Sequence, residues 1–227
     1  MALLGKAALA MWWDIAADVR DDFEHWHAHE HFPERLAIPG FRRASRWACA
    51  DGGEGVFVLY ELDGFEVLSS PSYAARLNAP TPWSTRLMPH HRNMVRSQCR
   101  VLESEGAVTG RATLTVRLSP QDGQLERLRD AVRRLGQRLR MRSGLVGVHL
   151  LRHEAPPIAP TQEQKIRGNA DRVADCVLLV CGYDPQAVRS LLSDELSASA
   201  LDAMGAAEQA EWQLYGLAYS AVPQDLG

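Results

Sequence analysis

VRDDFEHWHAHE, residues 19–30, and LRDAVRRLGQRL, residues 128–139, carry matching positions at spacings of four, three and four: Val19, Phe23, Trp26 and Glu30 in the first, Leu128, Val132, Leu135 and Leu139 in the second. That spacing puts all four on one face of a helix. The second stretch shows what this face carries when it only packs, and the first differs by holding a carboxylate where the second has Leu139. Outward from the first stretch, residues 6–13 read as a strand, and Asp18 as the N-cap of a helix starting at Val19. Residues 41–49 and 56–62 flank the turn Asp51-Gly52-Gly53 as a hairpin. Residues 70–78 form a helix with Pro71 in its first turn, 79–83 a loop, and 93–102 a strand. The order is βαββαβ.

The order recurs. Residues 111–118, 125–141, 145–151, 176–182, 185–196 and 212–221 read as strand, helix, strand, strand, helix and strand. The expected fold is therefore α+β: two tandem ferredoxin-like βαββαβ units, residues 1–106 and 107–227, with antiparallel sheets packed face to face in a barrel-like pseudo-dimer. The first unit holds the candidate active site and the second is mainly structural. A homodimer that closes the barrel between two chains is the alternative. Residues 154–172 interrupt the second unit with Pro156, Pro157 and Pro160, and the expectation is a mobile segment rather than a lid.

Composition narrows the function. In 227 residues, 46% are hydrophobic and 23% charged, as in an ordinary soluble globular protein. The net charge of −3 and the lack of a basic stripe argue against a nucleic-acid partner. The N-terminal apolar run is broken by Lys6 and followed by Asp14, so it reads as a strand rather than a leader, and no run suits a membrane span. Cys49, Cys99, Cys176 and Cys181 form no CxxC pair and sit in apolar contexts, which fits small buried side chains in a reducing cytoplasm.

Four of the eight histidines lie at positions 25, 27, 29 and 31. At about 100° per residue, His27 and His31 flank the packing face beside Glu30, while His25 and His29 point elsewhere. A carboxylate on a packing face is costly unless paired, hydrogen-bonded or protonated, and burial raises its pKa toward the range useful for acid–base work. Glu30, His31 and His27 are accordingly the candidate catalytic residues. An ion pair between Glu30 and Arg42, Arg43 or Arg46 is the structural alternative. Trp26, Trp47 and Tyr60 are the candidate substrate-binding residues.

Trp26, His31-Phe32-Pro33 and Ile38-Pro39-Gly40-Phe41 resemble the W-x4-H-x-P and downstream Pro-Gly pattern of EthD-like proteins in the dimeric α/β-barrel superfamily. The resemblance implies a pocket between the first helix and the sheet, with His31 facing it. The second half lacks His-x-Pro, which implies that only one pocket is functional. The superfamily includes lactone isomerases, aromatic polyketide cyclases, cofactor-free monooxygenases and haem enzymes, so the fold does not choose the reaction.

The function expected is acid–base chemistry of isomerase, lyase, cyclase or cofactor-free oxygenase type on a small hydrophobic carbonyl-bearing or aromatic molecule, without cofactor or metal. A non-catalytic ligand-binding protein is one alternative. A metal enzyme using His27, His31 and His90 or His91, or a haem enzyme with His31, His90, His91 or His149 as axial ligand, is another.

Overall fold

A computed structural model of the chain describes residues 3–156, 159–168 and 171–226. Strands β1 (Ala7–Asp14), β2 (Phe41–Cys49), β3 (Gly55–Leu62), β4 (Arg92–Gly106), β5 (Ala112–Leu118), β6 (Leu145–His153), β7 (Cys176–Gly182) and β8 (Glu211–Ala221) form a closed barrel in the order β1-β3-β2-β8-β5-β7-β6-β4. Every neighbouring pair is antiparallel. The first four strands stand in the order β4-β1-β3-β2 and the last four in the order β8-β5-β7-β6, joined by the seams β2–β8 and β4–β6. Closure takes place within one chain, so a barrel formed between two chains is not needed to satisfy the sheet edges.

Side chains alternate along each strand, and here both faces are covered. Ala8, Ala10 and Trp12 of β1 point into the barrel with Trp47, Phe57, Leu59 and Leu179, whereas Ala7, Leu9 and Trp13 pack outward beneath Phe23, Trp26 and Phe32. Double coverage explains why β7 is apolar at every position, Cys-Val-Leu-Leu-Val-Cys-Gly, although its neighbours are antiparallel. The barrel interior also holds an ion pair. Arg43 donates to both carboxylate oxygens of Glu61 at 2.6 and 2.8 Å, and the Leu4 N–H adds a third bond to Glu61 at 2.7 Å. Fully hydrogen-bonded, the pair is tolerable in a dry interior.

The outer layer contains α1 (Arg20–Trp26), a π turn (His27–His31), α2 (Phe32–Leu36), α3 (Pro71–Asn78), α4 (Pro82–Leu87), α5 (Leu125–Leu139), α6 (Gln162–Arg167), α7 (Pro185–Ser190) and α8 (Ala198–Met204). In α5 the stripe Leu128, Val132, Leu135 and Leu139 is buried, each side chain contributing about 1.5–3 kcal/mol by leaving water. Two expectations fail locally. Asp18 caps nothing: it lies inside a 3-10 turn, and α1 begins without a side-chain cap. The loop expected at 79–83 gives way to α4, because the Thr81 hydroxyl accepts the Ser84 N–H at 3.0 Å and Pro82 suits a first helical turn. The insertion holds α6, started by a capping box between Thr161 and Gln164. Pro157 lies outside the described residues. No helix among the described residues is long and apolar enough to cross a membrane.

At the β4–β6 seam, Gly106 faces Gly147 and the Ala107 N–H donates to the Val146 carbonyl at 2.8 Å. A Cβ on Gly147 would lie 2.1 Å from the Ala107 oxygen, a backbone atom that cannot swing away. Gly147→Ala is expected to lower the unfolding free energy in urea by about 2 kcal/mol or more. Gly53→Ala, whose Cβ would first meet Cys49 Sγ at 3.5 Å, should stay within about 0.5 kcal/mol of the parent. Equal effects would contradict the seam.

Candidate active site

Pro33 sits inside the first helical segment, not at its end. A regular helix would need a Pro33 N–H to bond the carbonyl four residues back, and the ring would clash with that carbonyl. The chain widens instead into the π turn at His27–His31, in which the Phe32 N–H donates to the His27 carbonyl, and continues as α2 to Leu36. One extra residue per turn rotates everything that follows. The packing face passes from Phe23 and Trp26 to His27, His31, Phe32, Arg35 and Leu36, all buried, while Glu30 moves to the flank. Extrapolating 100° per residue through this segment misplaces Glu30 for this reason.

Glu30 Oε1 accepts from Trp26 Nε1 at 3.0 Å and from the Thr81 hydroxyl at 2.5 Å, with the Ser84 hydroxyl at 3.5 Å. The carboxylate therefore ties the first helix to the start of α4, and pairs with none of Arg42, Arg43 or Arg46. It does not line the cavity at His31.

That cavity, about 20 Å³, lies between the first helical segment, strands β1, β3 and β4, α3 and α6, and has room for a single water molecule. Leu9, Met11, Tyr73 and Leu77 supply its apolar wall, and His31, Arg35, Tyr60, Arg96, Glu163 and Arg167 its polar one. Arg35 Nη2 donates to Glu163 Oε1, and both side chains are almost fully buried. Arg96 Nη2 donates to the Tyr73 hydroxyl at 3.0 Å, and Arg167 pairs with Asp171 at 2.8 Å. Arg35 Nη1, Arg167 Nε, the Tyr60 hydroxyl and His31 Nδ1 are buried without a hydrogen-bond partner among the described residues. Such clustering of unmet polar atoms is unusual in a packed interior.

Electrostatics keep the histidines here neutral. Burial lowers the His31 pKa well below the ordinary value of 6.5, and the Arg35 guanidinium lowers it further. His27 is lowered likewise, by burial first and then by Arg46, and His91 falls to about 3 through burial and Arg167. For Arg35, burial opposes the charge but adjacent Glu163 outweighs it, so the guanidinium stays ionised. Burial pushes the Tyr60 hydroxyl up, which keeps it a donor.

Of the residues singled out from sequence, the fold brings together His31, Tyr60 and, immediately behind His31, Trp26 and His27. The His31 ring lies 4.4 Å from Trp26 and stacks on His27 at 5.3 Å between centroids. Trp47 is elsewhere, stacked on Phe57 at 5.1 Å inside the barrel, because position 47 falls on the inward face of β2. His25 and His29 are exposed. Among the described residues no three His, Cys, Asp or Glu side chains group as metal ligands. The residues also do not fit a haem: the space at His31 is filled by an arginine–glutamate pair, and His149 has Nδ1 against Ser104 Oγ at 2.9 Å and Nε2 against the Ala107 carbonyl at 3.2 Å.

Arg35, Arg96, Glu163 and Arg167 escape a reading of the sequence alone, though two signals bear on them. Arg35 continues the four-residue spacing His27, His31, Arg35. Thr161-x-x-Gln164 is a capping box that marks a helix inside the insertion. Arg96 offers no signal, being one arginine among many on strands.

No protein-family model and no curated protein sequence matches the chain. Solved structures of the same fold exist at very low identity. A candidate monooxygenase from Lactobacillus acidophilus NCFM is 7% identical with a TM-score of 0.62, over 96% of this chain and 97% of that one. An anthrone oxidase-like protein is 11% identical with a TM-score of 0.61, over 98% and 96%. A ferredoxin-fold protein related to antibiotic biosynthesis monooxygenases from Listeria monocytogenes 4b F2365 is 9% identical with a TM-score of 0.51, over 96% and 97%. At such identity the likeness establishes the fold alone.

The buried neutral histidines set the sign of the acid response. His27, His31, His91 and His149, the last lowered to about 4, all have folded pKa values below the ordinary 6.5, so the unfolded chain binds protons that the folded chain does not. Their contribution is complete above about pH 6.5 and is lost as the pH falls toward the folded values. Melting temperatures measured from pH 8 to 4 should be flat at first and then fall below about pH 6.5. A protein that gains stability over that acid range would contradict the assignment.

Proposed function

We propose that the chain is a small-molecule enzyme of the cofactor-free oxygenase type, in which His31 removes a proton from an activated carbon of an aromatic or carbonyl-bearing substrate. The observation that carries the reading is the pairing, in one cavity, of a neutral buried imidazole, whose Nδ1 lacks a partner among the described residues, with a permanently charged guanidinium, Arg35. A base alone would leave its product anion stranded in a dry site; a cation beside it stabilises the enolate or phenolate oxygen as charge develops. The Tyr60 hydroxyl is a further donor for that oxygen. Trp26 and His27 hold the His31 ring as positioning residues, and Leu9, Met11 and Leu77 offer apolar surface to a ring.

With dioxygen as co-substrate the sum is SH2 + O2 → S=O + H2O. His31 takes one proton, the carbanion carries its electron pair to oxygen, and the resulting hydroperoxide loses water to leave a carbonyl. The names of the anthrone oxidase-like and monooxygenase-related neighbours support choosing oxygenation over isomerisation after the shared first step. We read the chain as two ferredoxin-like units in tandem, an EthD-like member of the dimeric α/β-barrel superfamily; the strand order repeated in its two halves supports the tandem arrangement, and the Trp26, His31-Phe32-Pro33 and Pro39-Gly40 pattern is what suggests the EthD-like likeness. Glu30 enters as the tether of the first helix rather than as the base.

The closed state of the cavity favours a second reading, a non-catalytic binding protein. Oxygen uptake with an anthrone-type ketone, which carries an acidic methylene, separates the two. The enzyme reading expects one O2 consumed per substrate, kcat lowered about 100-fold or more in His31→Ala, and a change under about tenfold in Glu30→Gln. Unchanged uptake in His31→Ala would refute the assignment of the base, and binding without uptake in the parent would favour the second reading.

A further inference from the structure

We infer that the cavity is a receptor for an organic carboxylate, most simply an aromatic carboxylic acid, and that Glu163 is its resident stand-in. The inference rests on the reading of this cavity as the substrate site, and it is tested by binding, so that failed binding and failed turnover are separate results.

Three guanidinium groups, Arg35, Arg96 and Arg167, line the cavity; Glu163 in its wall pairs with Arg35 and Asp171 with Arg167, which leaves Arg96 with only the Tyr73 hydroxyl as side-chain partner among the described residues. A guanidinium matches a carboxylate with two parallel N–H donors. Arg35 uses one: Nη2 holds Glu163 Oε1, while Nη1 is buried with no partner among the described residues. The Tyr60 hydroxyl and His31 Nδ1, in the same wall, are also buried without a partner among the described residues. A cavity built only to bury an Arg–Glu pair has no use for these surplus groups. A carboxylate that engages both nitrogens of Arg35, with Tyr60 in reach of the ligand, accounts for them.

The stand-in is on a short helix that an entering ligand would have to displace. α6 is short, and Ile166 is its only apolar side chain. It packs on α3 and the turn Met88–His90, with the Gln162 N–H donating to Asn78 Oδ1 at 3.1 Å. Glu163 therefore supplies much of what seats it. With α6 in place there is room only for water; when it lifts, Leu9, Met11, Leu77 and Tyr73 form an apolar floor sized by side chains rather than by the lid. An external carboxylate then competes with a tethered one, and its apparent affinity is reduced by the fraction of chains in which Glu163 is seated.

Calorimetric titration with benzoate, benzamide and inorganic phosphate tests this on the parent, Glu163→Gln and Arg35→Met. Glu163→Gln keeps the side-chain shape but removes the competing charge, so benzoate should bind about tenfold or more tighter than to the parent. Arg35→Met should lose benzoate binding, and benzamide and phosphate should bind far more weakly than benzoate to every form. Benzamide or phosphate binding as tightly as benzoate, or a Glu163→Gln affinity equal to the parent's, would overturn the inference. Should Glu163→Gln fail to fold, tryptic cleavage of the parent at Lys165 and Arg167 decides. Benzoate, unlike benzamide, should speed it by unseating α6, and no effect or protection would overturn the displacement.

Discussion

A proline within the first helical segment is the constraint on which the site depends. Pro33 can neither donate to the carbonyl four residues back nor pack its ring against it, and the widened turn at His27–His31 resolves the conflict without ending the helix. Its consequence is chemical: the turn replaces a carboxylate with an imidazole on the buried face and carries Arg35, one helical turn further, into the same cavity. The displaced Glu30 takes on a structural task, drawing the indole of Trp26 and the start of α4 together.

Barrel closure supplies the rest. Because β6 pairs with β4, the segment leaving β6 emerges alongside the first half of the chain. Both ends of the insertion zip onto β4: the Glu154 N–H donates to the Gln98 carbonyl at 2.9 Å, and Arg96 N–H to the Arg172 carbonyl at 2.8 Å. The route lays α6, an element of the second half, over a cavity of the first. On the opposite side of the barrel the equivalent helix α5 packs closely. Leu139 is buried where Glu30 would correspond, and a Cβ on Gly136 would come within 3.0 Å of Glu105 Cβ. One side of the molecule packs closely, and the other encloses a polar cavity.

Much of the architecture is legible in the sequence because it rests on periodicity. The strands fall close to where alternation and turn residues place them, and α5 bears the apolar stripe that its spacing dictates. The division of the four histidines into a buried and an exposed pair also follows from helical geometry. What periodicity cannot supply is a break in itself: a constant spacing of about 100° per residue does not carry through the π turn that holds Glu30. Nor can local pattern announce a contact such as Arg35 with Glu163, 128 residues apart, which exists only after the barrel has closed. Trp47 illustrates the same limit, since the choice between barrel interior and helix-covered face depends on register across β2, β3 and β8.

The proposed role of His31 requires a neutral imidazole held beside a charged arginine. Its most direct test is the NMR titration of the His31 imidazole, assigned by comparison with His31→Ala. Burial and Arg35 should keep the ring neutral well below pH 6.5, with the titration moving upward in Arg35→Met. A His31 ring that titrates at the ordinary value of 6.5, indifferent to Arg35, would contradict the account.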